Sequence, residues 1–449
     1  MNESRLLRIG CVNGQSKRVN ERAIDDQWLA YLAESVDLVR ISSYAFIKLF
    51  GGSFRRWSEQ YPASLKETAC RLAQLCVQEQ LDVIYVNWPE LMPYLMAARN
   101  YGQLKVSFLL IAHSVGSEQW LKYWISIAPL LQNRDTLLTG TFSCKQALLH
   151  ISSLYSAAVV IPLCIRLNEV DGLHVCGPAE DNQTPALLSI GRIEDVKNME
   201  LLLAAFALIR RHTAGARLIV AGEYTGFHPE QTAYYRQRIE QSVRQLHLEQ
   251  SVVFTGPVQG AEKEHCFRQA DLLINLSTDP GETFGYNLLE AKMRGIPVVC
   301  TRWNGFMELV EDGGDGVLID CEWTGAMPFV DAVHVADACI ALLGDPERRR
   351  LMSGRAIAQA KKYDYRRLMP IIVNTLEARR SLPSETPPLP SDLLNACPLG
   401  SLGHIYNLAL LADTGWNGET PLSLLQSPVQ YTYPEWMQRV KPIIRHFAH

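Results

Sequence analysis

Short apolar runs of strand length alternate with stretches of helical periodicity along most of this chain. That alternation limits the fold more than any other feature, because it is the pattern of parallel α/β architecture. The runs Leu6–Val12, Asp37–Ile41, Asp82–Asn87, Val106–His113, Thr136–Thr139 and Val159–Pro162 read as one series of strands. Helical patterns such as Ala23–Glu34 and Ala63–Glu79 lie between them. A second series comprises Ala186–Ile190, Arg217–Ala221, Val252–Thr255, Leu272–Asn275, Pro297–Thr301 and Val317–Ile319. Its helices include Met199–His212, Ala233–His247, Ala261–Ala270, Asn287–Arg294 and Val333–Leu343. Two doubly wound units facing a cleft are expected, with functional loops at the carboxyl ends of the strands.

The length of 449 residues suits two such units better than one core. Residues 171–184 are rich in Gly, Pro, Asp and Asn and read as a linker. This predicts an N-terminal unit over 1–175 and a second over 184–380. The proline-rich run SLPSETPPLP from Ser381 then opens a helical tail over 381–449. Whether that tail packs back on the first unit or forms a separate interaction surface is open at this level.

Hydrophobic residues make up 47% of the chain and charged residues 20%, the balance of a folded soluble protein. The net charge of −4 carries no strong basic field, which argues against nucleic acid as a partner. Eleven cysteines are dispersed without a C-x-x-C pair or zinc spacing, so no metal is expected. The beginning MNESRLLRIGCVNG has no long apolar run and reads as a first strand, and a cytoplasmic protein is expected.

Two windows carry chemistry. In SIGRIEDVKNMELLLAAF (189–206) a strand ends, Gly191 turns the chain, and Arg192 and Lys197 precede an amphipathic helix. Two cations at a strand-to-helix junction can converge on an anion and stabilise a leaving diphosphate. Alternatively they are two surface cations on an ordinary loop. In STDPGETFGYNLLEAKMRGIPVV (277–299), Glu282 sits in a loop, Gly285 allows close backbone approach, and a helix starts near Asn287. Amides around Phe284–Asn287 could face a phosphate or sugar hydroxyl. Glu290, one turn on, is placed to bind a ribose diol, or is a plain helix-surface acid.

These two windows resemble the retaining GT-B glycosyltransferases, the large family-4 group (glycosyl transferases group 1) in particular. Those enzymes carry G-R-x4-K followed by E-G-F-G-x4-E-A. Here Gly191-Arg192…Lys197 and Glu282-Thr283-Phe284-Gly285…Glu290-Ala291 stand in the same order and spacing. The stretches 252–277 and 301–319 resemble the family as well, so the likeness covers residues 184–345 firmly and the first half weakly. It implies the GT-B fold, two Rossmann-like domains facing a cleft. It also implies that Arg192 and Lys197 bind the donor diphosphate and Glu290 the ribose. Glu282, with the backbone of Phe284, Gly285, Tyr286, Asn287 and Leu288, would lie beside the transferred sugar.

The chain departs from the family pattern at Asn198, Thr283, Lys292-Met293 and Asn304-Gly305, none of which removes a charged contact. In the first half, His113 in LLIAHSVGS follows a strand, and the resemblance implies contact with the donor sugar; a satisfied structural histidine is the alternative. Asn13-Gly14 resembles a shortened form of the family's N-terminal glycine loop, or is a plain turn. Gly51-Gly52-Ser53 is a further acceptor-side candidate. Trp120, Tyr123 and Trp124 share a helical pattern and, with Arg55-Arg56-Trp57, could touch a membrane or lipid-linked acceptor. Core packing is the preferred reading of those aromatics.

The expected activity is retaining transfer of a sugar from a nucleotide-sugar donor to an acceptor hydroxyl, with no metal or other cofactor. The resemblance implies front-face substitution, with the leaving diphosphate oxygen as base for the acceptor. A phosphorylase or sugar-phosphate synthase on the same fold is one rival, and a catalytically silent scaffold is another. A G-x-x-x-x-G-K-[ST] loop and a G-x-S-x-G elbow are absent from the sequence.

Overall fold

In the computed structural model the first series of strands forms a parallel sheet of six, in the order β2-β1-β3-β4-β5-β6. These are Arg8–Val12 (β1), Asp37–Ile41 (β2), Val83–Val86 (β3), Ser107–Ala112 (β4), Thr136–Thr139 (β5) and Val159–Val160 (β6). The structure describes residues 5–12, 27–61, 63–167, 184–226, 229–383, 403–416 and 431–448. Strands β3, β4 and β5 are buried along their whole length, as expected of a sheet covered on both faces. Helix Phe142–Ile151 shows the local logic: Thr141 is its N-cap and accepts the Cys144 amide at 3.1 Å.

The second series forms another parallel sheet of six, in the order β12-β11-β10-β7-β8-β9. Its strands are Ala186–Ile190 (β7), Arg217–Ala221 (β8), Val252–Gly256 (β9), Leu272–Asn275 (β10), Val298–Thr301 (β11) and Gly316–Ile319 (β12). A short antiparallel hairpin, Glu322–Thr324 (β13) with Met327–Phe329 (β14), follows; the sequence reading missed it. Its strands are three residues long, too short to display alternation.

All twelve expected sheet strands are present, with ends shifted by a residue or two. The domain boundaries differ from the linear division at 175, 184 and 380. One compact unit comprises Met1–Arg166 with Tyr365–Tyr431, the other Leu167–Asp364 with Thr432–His449. Packing explains the first crossover. Helix Tyr365–Arg380 sets Tyr365, Leu368, Met369, Ile372 and Leu376 into the same core as Ile9, Trp28, Val83 and Leu109. Burying each such side chain contributes roughly 2 kcal/mol. Arg134 Nη2 also donates to Arg380 O at 2.6 Å, and Arg380 pairs with Asp82 at 2.9 Å. The expected tail is therefore divided: Tyr406 donates to Ile125 O in the first unit, while helix Tyr433–Ile444 belongs to the second.

The aromatic helix Glu118–Ile127 buries Tyr123 and Trp124, and Trp124 Nε1 donates to Ser114 O at 2.7 Å. Core packing is thus the outcome for those two rings. Gly51 and Gly52 turn the chain with positive φ, and Ser53 caps helix Phe54–Glu59 by accepting from Arg56 N. Among the described residues the cysteines are free thiols, all buried except Cys70 and Cys76. Among those residues no helix is long and apolar enough to cross a membrane.

Candidate active site

In the second sheet β7 lies between β8 and β10, so the strand order reverses at β7 and β10. Ligands of open parallel sheets bind outside the carboxyl ends of the strands at such a reversal. Both motif windows leave the sheet there: Gly191-Arg192 follows β7, and the loop reaching Glu282 follows β10.

The Lys197 ammonium pairs with Glu282 at 2.7 Å and Asp279 at 3.5 Å, and donates to Ser277 Oγ at 3.1 Å. Arg192 pairs with Glu194 at 3.1 Å and reaches Asp279 at 3.9 Å. The side chains of Arg192 and Lys197 are only 25% and 16% exposed, which decides against two surface cations on an ordinary loop. Burial alone would pull the Lys197 ammonium down. Glu282 and Asp279 outweigh it and hold the group above its ordinary value, so it is charged at neutral pH. Burial likewise pushes the Asp279 carboxyl up, but Lys197 and Arg192 outweigh that and leave it below its ordinary value.

The second window is fixed to the first by amide side chains. Asn287, in helix Tyr286–Lys292, donates through Nδ2 to Ile190 O at 2.7 Å, the last residue of β7. Asn275 in turn donates to Asn287 Oδ1 at 3.0 Å. Gly285 is left-handed at φ 96°, and a Cβ there would meet the Phe306 ring at 2.7 Å. Phe284 and Leu288 are buried, so of Leu288 only the backbone can serve a ligand.

Glu290 has a different partner from the carboxylates of the Arg192–Lys197 cluster. Its carboxylate takes a 2.6 Å bond from Lys263 and is 19% exposed. His113 follows β4 in the first unit, its Nε2 3.3 Å from the Tyr85 hydroxyl. Asn13 and Gly14 lie outside the described residues.

Two of the departures from the family pattern acquire a reason. Asn198 (φ 53°) and Asn304 (φ 44°) are left-handed, where glycine is the usual residue and asparagine the best substitute. Lys292 is buried against Asp315 at 2.6 Å. Asp279, Ser277 and Lys263 were missed by the sequence reading. Asp279 and Ser277 lie in the same loop as Glu282, a signal that was there to be used; Lys263 has no local one.

Gly222, after β8, supports the cation loop. A Cβ there would lie 1.8 Å from Gly191 O, inside any tolerable contact. Gly222→Ala is expected to push apart the chains leaving β7 and β8 and displace Arg192. Any turnover that depends on Arg192 should fall on the order of 10²-fold. Assaying turnover and melting on one sample checks this, and wild-type turnover would show that the loop position is not used.

Residues 177–357 match the family model described as Glycosyl transferases group 1. The chain is 31% identical over 176 residues to a D-inositol 3-phosphate glycosyltransferase of Segniliparus rotundus, covering 39% of this chain and 36% of that protein. It is 26% identical over 325 residues to the N-acetyl-alpha-D-glucosaminyl L-malate synthase of Bacillus anthracis, covering 66% and 74%. The chain thus spans little more than a third of the first relative's length. Among solved structures, Anabaena HepE in complex with UDP and glucose aligns with a TM-score of 0.61 at 19% identity, over 84% of this chain and all of that one. The sucrose-phosphate synthase of Thermosynechococcus elongatus aligns at 0.60 and 17% identity, over 83% and 98%. At these identities the likeness is one of fold. The chain has the GT-B fold of two six-stranded parallel sheets. The match to the group 1 glycosyltransferase model falls within its second unit.

Proposed function

We propose that this protein transfers a sugar from a nucleoside-diphosphate sugar to an acceptor hydroxyl with retention of anomeric configuration. The observation that carries the reading is the convergence of Arg192 and Lys197 at the switch point of the second sheet. Asp279 and Glu282 pair with these cations. A donor diphosphate would take over part of that pairing, and the cations would then neutralise the charge that grows on the leaving oxygen. Breaking the sugar C1–oxygen bond leaves a nucleoside diphosphate. The acceptor oxygen bonds C1 on the same face, and its proton passes to the departing phosphate oxygen. No metal is needed in this scheme. The backbone of Phe284–Leu288 would contact the sugar.

Glu290 is assigned to the ribose diol, and Lys263 holds it in place at 2.6 Å. Relatives in fold are named as complexes with UDP and UDP-glucose, which makes UDP the first nucleotide to test. Calorimetry against UDP, GDP, ADP and CMP should find one preferred base. Glu290→Ala should weaken that nucleotide about 10- to 100-fold, the loss of one or two charge-assisted hydrogen bonds. Unchanged affinity in Glu290→Ala would remove the ribose role.

A further inference from the structure

The second unit ends in a segment whose purpose neither the motifs nor the fold explains. Helix Tyr433–Ile444 and the turn Arg445–Ala448 bury Trp436, Met437, Val440, Ile443, Ile444 and Phe447 against it. A capping box of Thr432 and Glu435 fixes where the helix begins. From that start the Tyr433 hydroxyl lies 3.2 Å from Thr278 O and 3.4 Å from Thr278 Oγ1. Thr278 Oγ1 also accepts from Asn198 Nδ2 at 2.9 Å, and Asn198 directly follows Lys197. One phenol thus reaches the Asp279 loop and, through Thr278, the residue beside Lys197.

The far end of the segment grips the same loop from behind. Phe447 O accepts the Asn304 amide at 2.7 Å, and the Phe447 ring stands edge-on to Trp303 at 5.7 Å. Trp303 Nε1 donates to Asp279 O at 2.9 Å, and Asn304 Nδ2 donates to Glu282 O. Asn304 is fully buried and left-handed, a conformation that persists only when its surroundings impose it. Trp323 Nε1 donates to Arg445 O at 2.8 Å, and Lys441 donates to Gly325 O, tying the segment to the β13–β14 hairpin.

We propose that the segment Tyr433–Ala448 is a clamp that holds the loop Thr278–Glu282 in ligand-binding geometry, with Tyr433 and Phe447 as positioning residues. Three successive supports of that loop, at the carbonyls of Thr278, Asp279 and Glu282, come from the clamp or from the two residues it grips. The loop carries both carboxylates that orient Lys197, so the clamp sets where the cations sit. The inference concerns loop order, and rests on the proposed function only for its effect on nucleotide affinity.

Amide hydrogen exchange on the full chain tests it without a ligand. Tyr433→Phe removes one hydroxyl and keeps the ring, and Phe447→Ala removes the Trp303 contact. In Tyr433→Phe exchange over residues 277–285 should quicken about fivefold, the factor expected for one lost hydrogen bond, and in Phe447→Ala the lost ring packing should quicken exchange over the same residues and at Asn304. Exchange in β7, β10 and β11 should stay at the wild-type rate. Unchanged exchange over 277–285 in Tyr433→Phe, or acceleration spread evenly through the sheet in both variants, would overturn the clamp. UDP calorimetry on the same samples gives a second readout, with Tyr433→Phe binding about fivefold more weakly at unaltered melting temperature. Wild-type protein that binds no nucleotide would refute the proposed function while the exchange data still decide the clamp.

Discussion

Lys197→Ala is expected to lower the rate of sugar transfer by about 10²–10³-fold, with a smaller change in donor KM. The asymmetry follows from where the charge develops. On the proposed function the diphosphate is already charged in the bound donor, where Arg192 and the loop amides would hold it. The extra negative charge appears on the leaving oxygen only as the glycosidic bond breaks. A half-buried ammonium paired at 2.7 Å with Glu282 and 3.5 Å with Asp279 is fixed before the reaction and needs little reorganisation. Lys197→Arg should recover part of the rate, because it returns the charge in a different shape. Comparing kcat and KM for the three proteins with one donor checks this. A loss confined to KM would make Lys197 a binding residue alone.

The second large effect is on stability. Arg99 and Asp135 form a two-pronged pair at 2.8 Å on both arms, with side chains 0% and 1% exposed. Asp135 also accepts the amides of Phe108 and Gln132, each at 2.8 Å, and Arg99 donates to Leu130 O and Asn100 Oδ1. The guanidinium lies 4.8 Å from the Phe108 ring centre. Arg99→Met would leave a carboxylate buried without its cation, which costs about 3–5 kcal/mol. Adding Asp135→Asn should return part of that loss by removing the charge, though not the hydrogen bonds around it. Chemical unfolding of the single and double variants measures the difference. Equal stability of Arg99→Met and wild type would contradict the network described here.

Much of this fold is legible in the sequence because parallel strands are local signals: Leu272–Ile274 and Val298–Cys300 are unbroken apolar runs between helices. The helix before β9 begins earlier than expected, at Pro229 and not Ala233, since proline is well tolerated in a first turn. The division into units was not legible. Helix Tyr365–Arg380 is amphipathic, but amphipathicity does not say which core receives its apolar face. The site divides in the same way. Arg192, Lys197, Glu282 and Glu290 stand at fixed spacings within two short windows. Their partners do not: Trp303, Asn304 and Tyr433 reach the Glu282 loop only after the chain has folded, and no spacing in the sequence encodes them. Asn198 and Asn304 were visible as departures, yet only the positive φ values explain why asparagine is accepted there.

The most direct measurement is proton and phosphorus NMR of the wild-type protein with UDP-glucose, and in parallel with GDP- and ADP-glucose, with water as the default acceptor. Release of nucleoside diphosphate from one of these donors is expected, with the α-anomer of glucose appearing first and Lys197→Ala releasing almost none. First appearance of the β-anomer would contradict retention. Release by Lys197→Ala at the wild-type rate would contradict the site itself.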